Sequence, residues 1–185
     1  MAEHVCPWWV GYLLLNPLRR FVQRADKIFG YCISPGMTVL EIGPGMGFFS
    51  LDTARLLGPE GHLVCVDIQA KMIEVLKKRA AKAGLSDRIE ARICGTASLG
   101  IDDLAGQVDL ALVIATAHEV PDRQGLFNQV RDSLKPDGRL FLAEPGSHVK
   151  QEVFDKIEAA ATDSGFNLIE RPRMFRSRAV LMGRA

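Results

Sequence analysis

The stretch VLEIGPGMGFFS (residues 39–50) places a strand-like apolar run directly before a loop with three glycines. The glycines are Gly43, Gly45 and Gly47, and an acid, Glu41, stands two residues before the first of them. A strand, a glycine-rich turn and a helix in this order are typical of the point at which a parallel α/β sheet holds a cofactor. The stretch therefore predicts the first strand of such a sheet and a ligand site at its end.

Strand-like and helix-like patterns alternate through the rest of the chain. The strand-like runs are MTVLEIG, HLVCVDI, RIEARIC, VDLALVIA and RLFLAE, followed by a helix over about 149–163 and then by FNLIE and RAVLMGR. The turn sequence KPDG (residues 135–138) is expected to separate a helix from the fifth strand. Only a few residues around Arg171-Pro172-Arg173 join the last two strands, too few for a parallel crossover.

These patterns predict an α/β fold, a doubly wound Rossmann-like sheet with helices on both faces. The sheet should have seven strands, mostly parallel, with an antiparallel hairpin at its C-terminal edge. A chain of 185 residues fits one such domain, which we place at 35–185.

Composition limits the partners. The 23 basic and 22 acidic residues nearly balance, which gives no electrostatic case for binding nucleic acid or an anionic membrane. Four cysteines without a C-x-x-C pair, and no pattern of a signal peptide, favour a cytoplasmic location. The run PWWVGYLLL is too short to span a bilayer.

Residues 1–34 are expected to form a helical lid over the site, with helical spacing from Leu18 to Cys32. Within them Trp9 and Tyr12 either form an aromatic wall that faces the substrate or staple the segment to the body of the domain.

The glycine loop does not match a dinucleotide or triphosphate site. Counted from Gly43, G-x-G-x-x-G would require glycine where Phe48 stands, and no G-K-[ST] follows. Pro44 lacks an N–H, and Glu41 would repel a phosphate. Asp67 ends the second strand, where an acid accepts hydrogen bonds from both ribose hydroxyls of a nucleoside. The pattern favours a nucleoside that carries a cationic group and no phosphates.

Four segments in the right order resemble the class I S-adenosylmethionine-dependent methyltransferase family. They are LEIGPGMG, VCVDI, VDLALVIATAHEVPD and VRDSLKPDGRLFLAE, within about residues 36–145. The resemblance implies S-adenosylmethionine as cofactor and S-adenosylhomocysteine as product. It also implies that the loop from Gly43 through Pro44 and Gly45 to Gly47 meets the methionine moiety.

The same resemblance implies that Asp67 binds the ribose and Ile68 contacts the adenine, with Ala115 also at the cofactor. Many relatives have an acid after the third strand that accepts from the adenine amino group, and this chain has Thr96 in its place. Either the Thr96 hydroxyl substitutes for the acid or backbone groups bind the adenine. Glu41 either contacts the cofactor or fixes the loop by accepting its N–H groups.

The segment after the fourth strand carries the candidate catalytic group. His118 is either a general base or a residue that caps the loop, and Glu119 and His148 are expected to face the substrate. A further hypothesis brings His4 and Cys6 beside His118 and His148 as soft ligands for a metal or a thiophilic substrate, although no standard zinc spacing exists.

The expected function is methyl transfer to a small-molecule acceptor through N, O, S or C. The N/D-P-P-Y/F motif of adenine N6 enzymes is missing, since ATAHE stands in its place, and no nucleic-acid domain accompanies the fold. Two alternatives stay open: a methyltransferase that acts on protein or RNA, and a cofactor-binding protein without catalysis that has a regulatory or assembly role.

Overall fold

A computed structural model describes Pro7, Trp9, Gly11, Leu15 and residues 23–185. In this part of the chain the strands are β1 (Thr38–Ile42), β2 (His62–Asp67), β3 (Ile89–Ile93), β4 (Val108–Ile114), β5 (Leu134–Pro145), β6 (Phe166–Glu170) and β7 (Ser177–Arg184). The helices are α1 (Ala25–Ile28), α2 (Ser50–Leu56), α3 (Ala70–Lys82), α4 (Arg123–Ser133) and α5 (Gln151–Asp163). Short 3-10 turns cover Gly30–Cys32, Asp102–Leu104 and Ala117–Glu119.

The strands form one sheet in the order β3-β2-β1-β4-β5-β7-β6. The first five strands along the sheet pair in parallel, and β7 runs antiparallel to both β5 and β6. The predicted fold class and its antiparallel hairpin edge are therefore confirmed. Because the chain turns from one half of the sheet to the other between β1 and β4, a crevice opens beyond the carboxyl ends of these strands.

Helices bury both faces of the sheet. One face packs Phe29, Phe49 and Phe141 into a core together with α2 and α3. The opposite face packs Phe127 and Phe154 with α4 and α5. Central strands are thus covered on both sides, which is why β4 appears in the sequence as a continuous apolar run.

Two local features differ in detail from the sequence patterns. The KPDG turn lies inside β5 as an irregularity, since Val108 pairs with Leu134 whereas Leu110 pairs with Arg139. The helical pattern expected up to Cys32 is divided between α1 and a 3-10 turn, and Leu18 lies outside the described residues. Within the described residues, no helix is both long and apolar enough to cross a membrane.

Candidate active site

A cavity of about 480 Å³ lies beyond the carboxyl ends of β1, β2 and β4. This volume is within the range of small-molecule sites. We call it the acidic cavity, because Asp67, Glu119 and Asp122 line it. The predicted cofactor and substrate residues that line it are Gly43, Gly45, Asp67, Ile68, Thr96, Ala115 and Glu119. Residues distant in sequence are brought together here because parallel strands end at the same edge of the sheet.

Asp67 holds the glycine loop. Its Oδ2 accepts a hydrogen bond from the Gly45 N–H at 3.2 Å, and its Oδ1 accepts one from the Gln69 N–H at 2.9 Å. Burial raises the pKa of Asp67, and the two backbone bonds partly oppose this rise. Each carboxylate oxygen has a further lone pair, so Asp67 can also accept hydrogen bonds from a ligand.

Gly45 is the point of closest access to the loop backbone. Its φ of +54° lies in the left-handed region, and a Cβ built there would meet no atom within 4 Å. By contrast, a Cβ at Gly43 would lie 2.2 Å from Thr116 Oγ1, and one at Gly47 would lie 2.4 Å from Leu76 Cδ1. Gly43 and Gly47 therefore permit internal packing, whereas Gly45 leaves free space for a ligand. Pro44 accepts a hydrogen bond from the Gly47 N–H.

Glu41 lies beneath the loop and does not line the acidic cavity. Burial raises its pKa to about 7; the Ser50 hydroxyl and the Cys65 thiol oppose the rise, and the charge of Asp67 adds to it. The Cys65 Sγ donates to Glu41 Oε2 at 3.5 Å. The sequence left open that Glu41 accepts the loop N–H groups, whereas the structure gives the Gly45 N–H to Asp67.

Ala115 follows β4 with a φ of +56°, a conformation that costs a non-glycine residue about 1–2 kcal/mol. Its N–H donates to the Ala143 carbonyl at 2.7 Å, which holds the strained residue in place. The carbonyls of Ile42 and Ile114 lie 3.2 and 3.1 Å from Thr116 Oγ1 and share its single hydroxyl proton. These contacts tie the end of β4 to the loop after β1, and strain of this kind gathers at functional sites.

His118 is hydrogen-bonded to a buried acid, Glu144, the next-to-last residue of β5. Its Nδ1–H donates to Glu144 Oε2 at 2.6 Å, its backbone N–H donates to Oε1, and Glu144 has an exposure of 0%. The His118 Nε2 lies 3.8 Å from Oε1 of Glu119, and its ring meets that of His148 edge-on at 5.1 Å between centroids. Burial alone would lower the pKa of His118, but the hydrogen bond to Glu144 and the neighbouring acids outweigh it and raise the pKa.

The candidate catalytic and substrate residues lie at different distances from the acidic cavity. Glu119 lines the acidic cavity, whereas His118 and His148 lie beside it and are connected to it through Glu119. Trp9 is 55% exposed and does not line the cavity. Tyr12 lies outside the described residues.

The N-terminal segment approaches the site at a described residue, Gly11. Gly11 is buried, and a Cβ there would lie 3.1 Å from the side chains of Met46 and Met72, of which Met72 lines the acidic cavity. His4 and Cys6, of the metal-site hypothesis, fall outside the described residues. Within the described part of the chain, no group of three His, Cys, Asp or Glu residues could hold a metal ion.

Sequence reasoning missed several contributors. Gln129 Oε1 accepts from the Leu99 N–H at 2.8 Å and so fixes the loop after β3, in which Cys94 lines the cavity. No sequence signal pointed to Gln129, because its partner lies 30 residues away. Glu144 had a signal, since it is the acid that ends RLFLAE, but only the structure shows its bond to His118.

The charge of the acidic cavity has one sign. Asp67, Glu119 and Asp122 line it, and its described lining contains no Lys, Arg or His. Asp122 is partly committed, because its Oδ1 caps α4 by accepting from the Gly125 N–H at 2.8 Å. The cavity suits a ligand with a positive charge and disfavours polyphosphates.

Comparisons with known proteins agree with this geometry. The family model described as "Methyltransferase domain" matches residues 33–172, about three quarters of the chain. The arsenite methyltransferase of Halobacterium salinarum is 29% identical over 112 residues, 60% of this chain and 28% of that protein. A ubiquinone/menaquinone biosynthesis C-methyltransferase of Hahella chejuensis is 27% identical over 126 residues, 66% of this chain and 50% of that protein.

The chain thus spans half or less of the length of these two relatives. The crystal structure of a SAM-dependent methyltransferase from Aquifex aeolicus has a TM-score of 0.87 at 18% identity and covers 98% of this chain and 100% of its own. At that identity the likeness shows the fold. With the family match, the order of the seven strands and the glycine loop beside Asp67, the chain belongs to the class I S-adenosylmethionine-dependent methyltransferase family.

Proposed function

We propose that this chain transfers a methyl group from S-adenosylmethionine to a small-molecule acceptor. The observation that carries the proposal is the acidic cavity at the carboxyl edge of the sheet, lined by three carboxylates and no described basic side chain. Such a lining favours a sulfonium nucleoside over NAD or ATP, whose phosphates would be repelled.

The chain's own groups fit the parts of the cofactor. Asp67 would accept hydrogen bonds from the ribose hydroxyls, and the open side of Gly45 would admit the ligand against the loop backbone. Ile68 and Thr96 line the cavity on the side of the loop after β3, where the adenine would lie. When bound, S-adenosylmethionine supplies an already activated methyl group, so the protein mainly orients the reactants and excludes water.

We assign the acceptor end to Glu119, His118 and His148. Glu144 fixes the tautomer of His118 by accepting its Nδ1–H, which leaves Nε2 directed at Glu119 on the cavity wall. In its neutral form His118 would accept a proton from a hydroxyl or amine acceptor, directly or through Glu119. A thiolate acceptor would not require this step.

Two further features support a small acceptor. The carboxylates of the cavity oppose the entry of a nucleic-acid backbone. The relatives described above are named for arsenite and for quinone biosynthesis, both small molecules. Residues 1–34, with Trp9 and Tyr12, would complete the acceptor pocket as a lid.

Calorimetry and a methyl-transfer assay test the proposal. S-adenosylmethionine should bind with micromolar affinity, with NAD and ATP far weaker, and labelled methyl should reach a member of a panel of phenols, amines and thiols. Tight binding of NAD without binding of the sulfonium would refute the assignment of the cavity. Transfer only to macromolecules of a cell extract would favour a protein or RNA acceptor, and binding without any transfer would favour a role without catalysis.

Asp67→Ala should weaken the binding of S-adenosylmethionine by about 1.5–3 kcal/mol, because hydrogen bonds to a charged acceptor are lost. Calorimetry measures the change, with the exposed Asp87→Ala as a control of equal charge. If the two variants bind the cofactor equally well, Asp67 does not contact the ribose.

A further inference from the structure

A second cavity, of about 620 Å³, opens between the first turns of α5 and the connection from β6 to β7. It lies at the carboxyl edge of the sheet, because Ser177 at the start of β7 pairs with Pro145 at the end of β5. No described residue lines both this cavity and the acidic cavity. Nothing in the proposed methyl transfer uses it.

The charge of this second cavity is the opposite of the first. Arg171, Arg173 and Arg178 line it, and Asp155 is the one acidic residue in its described lining. We call it the basic cavity. Its lining therefore carries a net positive charge in a chain whose formal net charge is only +1.

Two of the arginines are held in fixed orientations by the protein. Arg178 donates from Nε to Gln151 Oε1 at 2.6 Å and from Nη1 to the Val149 carbonyl at 2.7 Å. Arg171 makes a bidentate pair with Glu158 at 2.7 and 2.9 Å. Because a guanidinium has five N–H groups, Arg178 keeps donors for a ligand at little further cost in side-chain entropy.

Arg173 is the uncompensated charge. It is exposed, and the structure gives it no hydrogen bond or ion pair with a described residue. An anion in the cavity would meet Arg173 and Arg178 without breaking an existing bond of Arg173.

Part of the lining is apolar. The side chains of Phe154 and Met174 are buried at its base, and Phe175, 55% exposed, stands at its rim. An inorganic ion would leave the ring of Phe175 in contact with water. A ligand that joins an anionic group to an aromatic or aliphatic body would cover it and gain from its burial.

We propose that the basic cavity is a binding site for an organic anion, a phosphate or carboxylate attached to an apolar body. The anionic group is recognised by Arg173 and Arg178, and the apolar body lies against the exposed ring of Phe175. The site is separate from that of the methyl donor, and the proposal holds whether or not the chain transfers a methyl group.

Calorimetry at low ionic strength tests this with phenyl phosphate, benzoate, inorganic phosphate and benzyl alcohol. Phenyl phosphate should bind to one site, more tightly than inorganic phosphate, and benzyl alcohol should not bind measurably. The ratio of phenyl phosphate to benzoate affinity distinguishes a phosphate from a carboxylate ligand. Added salt should weaken the binding of the anions.

Arg173→Gln should weaken the binding of phenyl phosphate about tenfold or more. The variant should keep the thermal stability of the parent chain, since Arg173 is exposed and has no described partner. Lys82→Gln, an equal change of charge at an exposed position at the end of α3, should leave the affinity unchanged. Phe175→Ser should weaken the binding of phenyl phosphate more than that of inorganic phosphate, because it removes the aromatic surface that the phenyl ring would cover. The guanidinium of Arg176, which lies 6.0 Å from the centre of the Phe175 ring, keeps its charge in this variant.

The proposal is overturned if phenyl phosphate does not bind, or if Arg173→Gln and Lys82→Gln weaken it equally, which would indicate unspecific attraction. Saturating S-adenosylmethionine should leave phenyl phosphate binding intact. Displacement by S-adenosylmethionine would place the anion in the acidic cavity and would also contradict the proposal. Failure of S-adenosylmethionine itself to bind would count only against the proposed function.

Discussion

Gly45 is the residue at which a single substitution should most affect cofactor binding. Gly45→Val should abolish S-adenosylmethionine binding, because a side chain there would occupy the free space of the cavity and the residue must keep a φ of +54°. Gly106→Val is a matched control, since Gly106 has a φ of +66° and open space but does not line the cavity. Calorimetry and thermal unfolding together measure the outcome.

Both variants should lose a similar amount of stability, about 1–3 kcal/mol, from backbone strain. Only Gly45→Val should lose the cofactor. If the folded Gly45→Val variant keeps its affinity, the ligand does not approach the loop at this residue.

Glu41 makes the stability of the chain depend on pH. Its pKa of about 7 in the fold lies above the ordinary value of 4.5, so between these values the folded state holds a proton that the unfolded chain releases. Stability should therefore fall as pH rises from about 4.5 to 7, by about 2–4 kcal/mol in total. Glu41→Gln should remove this loss.

Urea unfolding at pH 4.5, 6 and 8 measures it, with Glu60→Gln as an exposed control. The two variants should resemble the parent at pH 4.5, and only Glu41→Gln should be more stable at pH 8. Equal pH profiles in all three proteins would mean that Glu41 stays ionised at low cost.

The sequence predicted site residues whose position follows from the end of a single strand. It missed contacts that form only when the ends of two strands come together. Asp67 could be placed because an acid directly after an apolar run lies at a known edge of the sheet. The bond from Asp67 to Gly45 joins residues 22 positions apart, and its geometry follows only from the pairing of β1 with β2. The strain at Ala115 has no sequence signal, because alanine is ordinary at most strand ends.

At the scale of elements, the pair of His118 and Glu144 joins the 3-10 turn after β4 to the end of β5. Glu144→Gln should lower the pKa of His118, because it removes both the hydrogen bond to an ionised acceptor and its charge. The titration of the His118 ring by NMR measures this, and the chain's four histidines allow assignment by substitution. Cofactor affinity should not change.

The sign of the pair's contribution to stability follows from the raised pKa. The stabilisation is complete below the unfolded value of about 6.5 and is lost as pH rises through the higher pKa of the fold. If His118 is the general base, kcat/KM should rise with pH through the same pKa, and Glu144→Gln should move that limb to lower pH. A titration of His118 below 6.5 in the parent chain would contradict the pair.

Elements with a strong repeating pattern were predicted well. The continuous run of β4 and the short connection between β6 and β7 fixed the parallel centre and antiparallel edge, because burial on both faces and loop length leave few alternatives. The KPDG turn was harder, since turn residues in a strand irregularity have the same composition as turn residues outside a strand. Only the structure shows that this turn lies within the sheet: Lys135 Nζ donates to Asp109 Oδ1 of the neighbouring strand β4 at 2.5 Å.

At the scale of the whole molecule, the N-terminal segment remains a proposed lid. Deleting residues 1–12 should lower turnover more than cofactor binding, because the segment is expected to contact the acceptor. The closeness of Gly11, where an added Cβ would lie 3.1 Å from the side chains of Met46 and Met72, supports a position near the site. Hydrogen exchange should show protection of this segment when cofactor is added.

Deletion of residues 1–12 with normal turnover would show that the segment does not act as a lid. Equal protection with and without cofactor would show that it packs permanently on the domain. Trp9 would then contribute to the surface of the domain, and the acceptor site would be confined to the region of Glu119, His118 and His148.

The two cavities also separate charge along one edge of the sheet, carboxylates in one and guanidinium groups in the other. The formal net charge is only +1, so these two opposite patches stand out against a nearly neutral molecule. Near its isoelectric point of about 7.7 it should adsorb to both cation- and anion-exchange media at low salt, through different surfaces. Immobilised by one face or the other, the same chain would therefore present either its acidic or its basic cavity to the solution.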